Sequence, residues 1–99
     1  MYNDGGYLYK NLSKKLKSRQ VDLNDKEIHH WNYNEILSIF ILPRRQHRKI
    51  HKYLCKNNNV FIDNRNGNIL DTKEKHLAYM KDVIKEYNET LLFEDIELT

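Results

Sequence analysis

The longest apolar run in the chain, Ile39–Pro43, ends at the single proline, and this arrangement constrains the fold more than any other feature. The run is far shorter than the ~20 residues that a membrane span needs. Its β-branched and aromatic side chains, together with the preceding Ser38, instead predict a buried strand. Proline suits the first turn of a helix, where its missing N–H leaves no hydrogen bond unmade. The sequence therefore predicts a strand that passes directly into a helix, which extends from Pro43 to about Lys56.

The segment before this strand holds weaker signals. Residues 7–9 follow a Gly-Gly step and predict a short strand, and residues 10–19 predict a basic amphipathic helix or a basic loop. A further short strand is expected at residues 25–31, where apolar side chains precede an Asn-rich stretch. Residues 26–56 are therefore predicted to run strand, loop, strand, helix.

The second half of the chain predicts a small hairpin followed by a helix. Two short apolar runs flank the step from Asn66 to Gly67, which is typical of a hairpin turn. Asp71 lies three residues before Glu74, a capping arrangement for the next helix. Residues 91–98 form either a final strand or a loose tail. We interpret the apolar stripe of the helix as core, with a dimer face as the alternative, and the stripe consists of Leu77, Met80, Val83, Ile84 and Tyr87.

These elements predict an α+β fold in a single domain, residues 1–99, with an accessory hairpin–helix unit at residues 57–99. The single cysteine, Cys55, excludes an internal disulfide framework and a cysteine-based zinc ribbon. The polar first residues resemble no signal peptide, so a cytoplasmic location, in a bacterial or phage-infected cell, is the expectation.

Charge is distributed unevenly along the chain. Residues 1–56 contain twelve Lys or Arg and five Asp or Glu, whereas residues 57–99 contain five and nine. The first half, with a net charge of +7, is able to attract a polyanion such as nucleic acid. A solvated lysine-rich surface is the alternative, because charge blocks are common.

Four of the five histidines lie in two groups. His29 and His30 lie near the end of the strand predicted at residues 25–31. His47 and His51 are four residues apart on the predicted helix, so these two imidazoles share one helical face. Imidazole binds Zn²⁺, Ni²⁺ and other transition metals, and His29 is able to supply a third ligand. His30 is then a candidate base, with an ordinary pKa near ~6.5.

Each part of this interpretation has a structural alternative. His47 and His51 share their face with apolar residues, so both could be hydrogen-bonded core side chains. Neighbours on a regular strand point to opposite faces, so His29 and His30 serve one site only if the strand breaks there. The remaining histidine, His76, is interpreted as an ordinary surface residue.

The segment Ile28–Asn32, together with Ile39–His51, resembles the HNH endonuclease motif of the ββα-metal, or His-Me finger, group. The order of features is the same: a histidine doublet at the end of a strand, a loop, an apolar strand, and a helix that carries two histidines four residues apart. The resemblance is closest to the cysteine-free members, such as nuclease colicins and small phage HNH proteins. It implies a ββα-metal core at about residues 26–56.

The resemblance also implies roles for the histidines. His30 would be the general base that activates water. His29, His47 and His51 would hold one divalent metal ion, either Zn²⁺, Ni²⁺, Mn²⁺ or Mg²⁺, on the scissile phosphate. The implied reaction is hydrolysis of DNA phosphodiester bonds, which leaves 5′-phosphate and 3′-hydroxyl ends. Cutting both strands at once would take a second copy of the chain, so a homodimer is one expected assembly.

One position departs from the family pattern. The motif's middle asparagine, which braces the loop that orients the base, corresponds here to Ser38. Ser38 itself, or the nearby Asn34, is the candidate for that loop-bracing role. The basic side chains around the ligands are expected to bind neighbouring phosphates, and they are Arg44, Arg45, Arg48, Lys49 and Lys52.

Two other classes of function fit the same sequence. One is a nucleic-acid-binding module that keeps the fold but has lost catalysis, which the serine at position 38 motivates. The other is a phage protein-interaction factor that acts through the acidic half of the chain. Binding to nucleic acid would weaken steeply with salt, whereas a tight protein complex would persist.

Overall fold

The computed structural model describes Leu12 and residues 14–98. The described part of the chain is a small α+β fold with two three-stranded antiparallel sheets and a few helices. The strands are β1 (Lys26–His30), β2 (Ser38–Pro43), β3 (Leu54–Asn57), β4 (Val60–Asp63), β5 (Asn68–Leu70) and β6 (Glu94–Glu97). The principal helices are α1 (Arg44–Ile50) and α2 (Lys73–Lys85), and residues 14–18 are also helical. Among the described residues, no helix has both the length and the apolar character that crossing a membrane would take.

The predicted buried strand, β2, is the centre of the first sheet, where it pairs with β1 on one side and β6 on the other. Its side chains alternate between two apolar clusters, because neighbours on a strand face opposite ways. Ile39 and Ile41 pack in one cluster, and Phe40 and Leu42 pack in the other. Each of these four is almost fully buried, which stabilises the fold by ~1.5–3 kcal/mol per side chain.

The two clusters divide the molecule into a smaller and a larger core. The smaller cluster contains Leu12, Leu16, Ile28 and Leu98, so the N-terminal helical segment covers the first sheet on that side. The larger cluster lies between the first sheet, α1, α2 and the second sheet. Its remaining buried members are Trp31, Ile50, Phe61, Leu70, Tyr79, Met80, Val83, Ile84 and Leu91.

The predicted helix from Pro43 to Lys56 is wrong at its C-terminal end. α1 ends at Ile50, one 3-10 turn follows at His51–Tyr53, and Leu54–Asn57 is strand β3. These four residues pair with β4 across a tight turn in which Asn58 has a φ of 57°. Asparagine tolerates this left-handed conformation, and the ladder with β4 outweighs the helical pattern that the basic residues gave.

The expected hairpin is present as β4 and β5, which are joined at Gly67 with a φ of 77°. The expected capping by Asp71 is wrong, since the N-cap of α2 is Thr72, whose hydroxyl accepts a hydrogen bond from the Lys75 backbone N–H. Asp71 instead accepts a bond from the Lys75 ammonium.

The remaining sequence expectations have mixed outcomes. Of the apolar stripe on α2, Met80, Val83 and Ile84 are fully buried, as expected for core, while Tyr87 is exposed. The C-terminal segment is a strand, β6, rather than a tail. The short strand expected at residues 7–9 lies outside the described residues, and residues 14–18 are a helix rather than a loop.

Candidate metal centre

Three histidines from two separate segments of the sequence converge where β1 meets α1. His29 lies near the end of β1, His47 lies on α1, and His51 begins the 3-10 turn that continues it. Because β1 and β2 are adjacent strands and α1 follows β2 without a loop, the helix returns past His29. One ring nitrogen from each histidine lies within 4.8 Å of the other two, so the three side chains are close enough to bind one metal ion.

Hydrogen-bond distances identify the nitrogens that face one another. His29 Nδ1 lies 3.1 Å from His47 Nε2, and His51 Nε2 lies 3.1 Å from the same His47 atom. Two nitrogens that bind one ion at ~2.0–2.1 Å in tetrahedral geometry lie roughly 3–4 Å apart. Two of the three pairs therefore have the spacing of ligands on one ion, and imidazole is a ligand that suits transition metals.

Glu27 fixes which nitrogen of His47 is free to bind a metal. Its Oε1 accepts a hydrogen bond from His47 Nδ1 at 2.7 Å, so the lone pair of His47 lies on Nε2, towards the other two histidines. This bond from His47 also holds the pKa of the Glu27 carboxyl below its usual value. Glu27 was not among the predicted site residues, although its spacing of two residues from His29 on a strand places both on one face.

His76 was predicted to be an ordinary surface residue, and this prediction is wrong. It lies in the first turns of α2, is 0 % exposed, and places its Nε2 2.7 Å from Nε2 of His29. Its ring also lies among Phe40, Phe61 and Tyr79. The signal was present in the sequence, since His76 precedes Met80 by four residues and so shares the buried face of the helix.

The electrostatics of the cluster favour neutral imidazoles. Burial, assisted by the charges of His76 and His47, lowers the pKa of His29 well below the usual value. Burial lowers the pKa of His76 to about 4, and burial together with His47 lowers the pKa of His51. A metal ligand must be a neutral imidazole with a free lone pair, so the lowered pKa values of His29 and His51 favour metal binding near neutral pH.

His30, the candidate base, lies beside the three-histidine group but does not belong to it. The strand register places His29 opposite Phe40 and His30 opposite Ile39, so the two neighbours leave the strand on opposite faces. The chain bends at Trp31, and the ring of Tyr33 then stacks on His30 with centroids 5.3 Å apart.

A backbone carbonyl also fixes the orientation of the His30 imidazole. Its Nε2 lies 3.2 Å from the Ile36 oxygen, which can only accept, so Nε2 carries the hydrogen and Nδ1 keeps the lone pair. Burial lowers the pKa of His30, and the bond to Ile36 partly opposes this effect. The side chain is therefore a neutral base near pH 7, with a defined tautomer.

Ser38 connects the loop after His30 to the centre of the sheet. Its hydroxyl accepts a hydrogen bond from the indole N–H of Trp31 at 3.0 Å and donates to a carboxylate oxygen of Glu97. Its backbone N–H bonds the Glu35 carbonyl, which closes the same loop. The backbone N–H of the other candidate, Asn34, donates to Asn32 Oδ1, and Asn34 is exposed at the loop surface.

The five basic residues expected to bind phosphates differ in their availability. Arg44 lies 3.4 Å from Glu27, while Arg45 and Lys49 both pair with Glu89. The ammonium of Lys52 lies over the rings of Tyr53 and Tyr87. Arg48 is exposed and, within the described part of the chain, belongs to no ion pair at salt-bridge distance.

Comparison with known proteins adds no assignment to this picture. No protein-family model matches the sequence, and no curated protein and no solved structure matches it. Functional inference therefore depends on the arrangement of the histidines and their partners.

Proposed function

We propose that the chain is a metal-dependent endonuclease of the HNH, or His-Me finger, type that hydrolyses DNA phosphodiester bonds. The observation that carries the proposal is the convergence of His29, His47 and His51 across a strand–strand–helix unit. The same three positions are the metal ligands that the sequence resemblance implies. Residues 26–53 would form the ββα-metal core, with the second sheet and α2 packed against it.

The proposed ligands are His29 Nδ1, His47 Nε2 and His51 Nε2, one of them held in its tautomer by Glu27. When bound there, a divalent ion supplies positive charge to the scissile phosphate and to the leaving 3′ oxygen. The all-imidazole donor set favours Zn²⁺ or Ni²⁺ over Mn²⁺ and Mg²⁺.

His30 acts as the general base in this proposal. Its Nδ1 takes a proton from water, the water oxygen bonds to phosphorus, and the bond from phosphorus to the 3′ oxygen breaks. The Ile36 carbonyl and the Tyr33 ring keep the imidazole in one orientation during the transfer. Arg44, at the start of α1, and Arg48, in its last turn, are both exposed and bind phosphates beside the scissile one.

Plasmid cleavage by the purified protein tests the proposal. Supercoiled DNA is incubated with EDTA, Mg²⁺, Mn²⁺, Ni²⁺ or Zn²⁺, and nicked and linear products are quantified for the wild type and for His30→Ala. The matched control is Tyr33→Phe, which keeps the ring that stacks on His30 and removes only its hydroxyl.

We expect metal-dependent cleavage by the wild type and the control, and a loss of about 10²–10⁴-fold in His30→Ala, which is the usual contribution of a general base. Cleavage that survives this substitution would show that His30 is not the base. A folded wild type that binds metal and DNA in a salt-dependent way but never cuts would instead be a binding module with the same fold.

A further inference from the structure

We propose that His76 is the positioning residue that prepares His29 to bind the metal, by accepting the hydrogen of His29 Nε2. The inference builds on the metal site of the proposed function, and it requires metal binding but not DNA cleavage. His76 comes from α2, outside the segment that carries the sequence resemblance, and no role was assigned to it from the sequence.

The two ring nitrogens of His29 face different partners. Nδ1 faces His47 at 3.1 Å, and Nε2 faces His76 Nε2 at 2.7 Å. A neutral imidazole carries one hydrogen, so His29 can present a lone pair to a metal at Nδ1 only when Nε2 carries that hydrogen. A buried N–H in this position needs an acceptor, because leaving it unpaired would cost ~1–3 kcal/mol.

His76 is the acceptor that the structure provides. It is buried and neutral, and among the described residues it is the group that lies at hydrogen-bond distance from His29 Nε2. Once its Nε2 accepts, its own hydrogen must lie on Nδ1, and that atom is buried with no hydrogen-bond partner among the described residues. The unpaired N–H is therefore carried by His76, which does not bind the ion, rather than by the ligand His29.

His76 and Glu27 therefore have parallel functions at the site. Glu27 accepts from Nδ1 of His47 and leaves Nε2 to the metal, whereas His76 accepts from Nε2 of His29 and leaves Nδ1 to the metal. Partners of this kind fix the tautomer and ring orientation of a ligand, and their loss typically lowers metal affinity about 10–100-fold. Each acts through a ligand, and neither would touch the ion.

Substitutions at position 76 show whether His76 acts as a hydrogen-bond acceptor or only as a space-filling ring. His76→Phe fills the same apolar surroundings but cannot accept a hydrogen bond. His76→Gln can place its amide oxygen near the original Nε2 and so restores an acceptor. Tyr79→Phe is the matched control, because it keeps a ring on the same helix and removes only the hydroxyl, which donates to the Ile50 carbonyl.

The primary readout is Zn²⁺ affinity, measured by competition with a chromophoric chelator, with circular dichroism in EDTA to verify folding. We expect His76→Phe to lose about 10–100-fold in affinity, whereas His76→Gln and Tyr79→Phe remain within about threefold of wild type. Equal affinity in all four proteins would overturn the role of His76. Loss in His76→Gln as large as in His76→Phe would also overturn it, since the acceptor would then not matter.

A second readout detects the tautomers directly and does not depend on the Phe variant folding. Long-range ¹H–¹⁵N correlation spectra of the Zn²⁺-loaded wild type should show the hydrogen of His29 on Nε2 and that of His76 on Nδ1. A hydrogen on Nε2 of His76 would contradict the inference. Plasmid cleavage is measured separately, so metal binding without cleavage would refute the nuclease and leave the role of His76 standing.

Discussion

Acid should destabilise the metal-free protein, and His76 allows the size of the effect to be worked out. Burial lowers the pKa of His76 to about 4 from its ordinary 6.5, and unfolding restores the ordinary value. Between these two values the unfolded chain binds a proton that the folded protein does not, so stability is fully present above pH 6.5 and is lost as the pH falls towards 4. Integrating the linkage relation gives a loss of about 2 kcal/mol between about pH 7 and about pH 5 from this one residue.

The assay is urea unfolding in EDTA at these two pH values, followed by the fluorescence of the single tryptophan, Trp31, which is buried in the larger cluster. His76→Gln removes the titrating group, so we expect its stability to fall by about 2 kcal/mol less than that of wild type over the same interval. Tyr79→Phe lowers stability at both pH values without changing their difference. An equal pH-dependent loss in wild type and His76→Gln would refute the reasoning.

Three further changes test other contacts of the site. Glu27→Ala should lower Zn²⁺ affinity about 10–100-fold in the chelator competition, because His47 loses the acceptor that fixes its tautomer, and an unchanged affinity would contradict this. Ser38→Ala should reduce the free energy of unfolding by ~1–3 kcal/mol, because it leaves the buried Trp31 N–H unpaired. A loss near zero in urea unfolding would show that this bond does not stabilise the fold. Arg48→Ala should weaken DNA binding and reduce the slope of log affinity against log salt by about 1, whereas Arg45→Ala, already paired with Glu89, should change both less.

Much of the first sheet could be predicted because its signals are local. The β-branched run at Ile39–Leu42 and the proline after it identify β2 and the start of α1, and both are present. The hairpin around Gly67 was also predictable from the sequence, because the step from Asn66 to Gly67 suits a turn in which Gly67 has a positive φ. Both predictions depend on neighbouring residues and require no knowledge of tertiary contacts.

The end of α1 could not be predicted from the same kind of signal. Leu54–Asn57 continues the basic pattern of the helix, and nothing within that segment marks it as a strand. Its conformation is set by pairing with Val60–Asp63, a contact that forms only when the chain reverses at Asn58. Asn58 and Asn59 form the turn between these two strands.

The site shows the same division between local and distant information. The spacing of His47 and His51 on one predicted helix was readable, and His29 was the expected third ligand; the structure brings the three side chains together. The place of His76 was not readable, because its partner lies 47 positions away in the sequence and the two meet only through the packing of α2. The one indication in the sequence is that His76, a polar residue, lies on the apolar face of the predicted helix.

The position of α2 also changes how the second half of the chain should be understood. The sequence predicts a core at about residues 26–56 and an accessory unit at residues 57–99. In the structure, however, the second half contributes to the first, because α2 supplies His76 and β6 is the third strand of the first sheet. Phe40 and Leu42, on the face of β2 towards the larger cluster, are buried together with side chains of α2. A fragment that ended before β4 would expose that face and leave His29 Nε2 without its acceptor. The candidate metal centre thus depends on α2 and β6 as well as on the strands and helix that carry the proposed ligands, and binding of a metal should stabilise all of them.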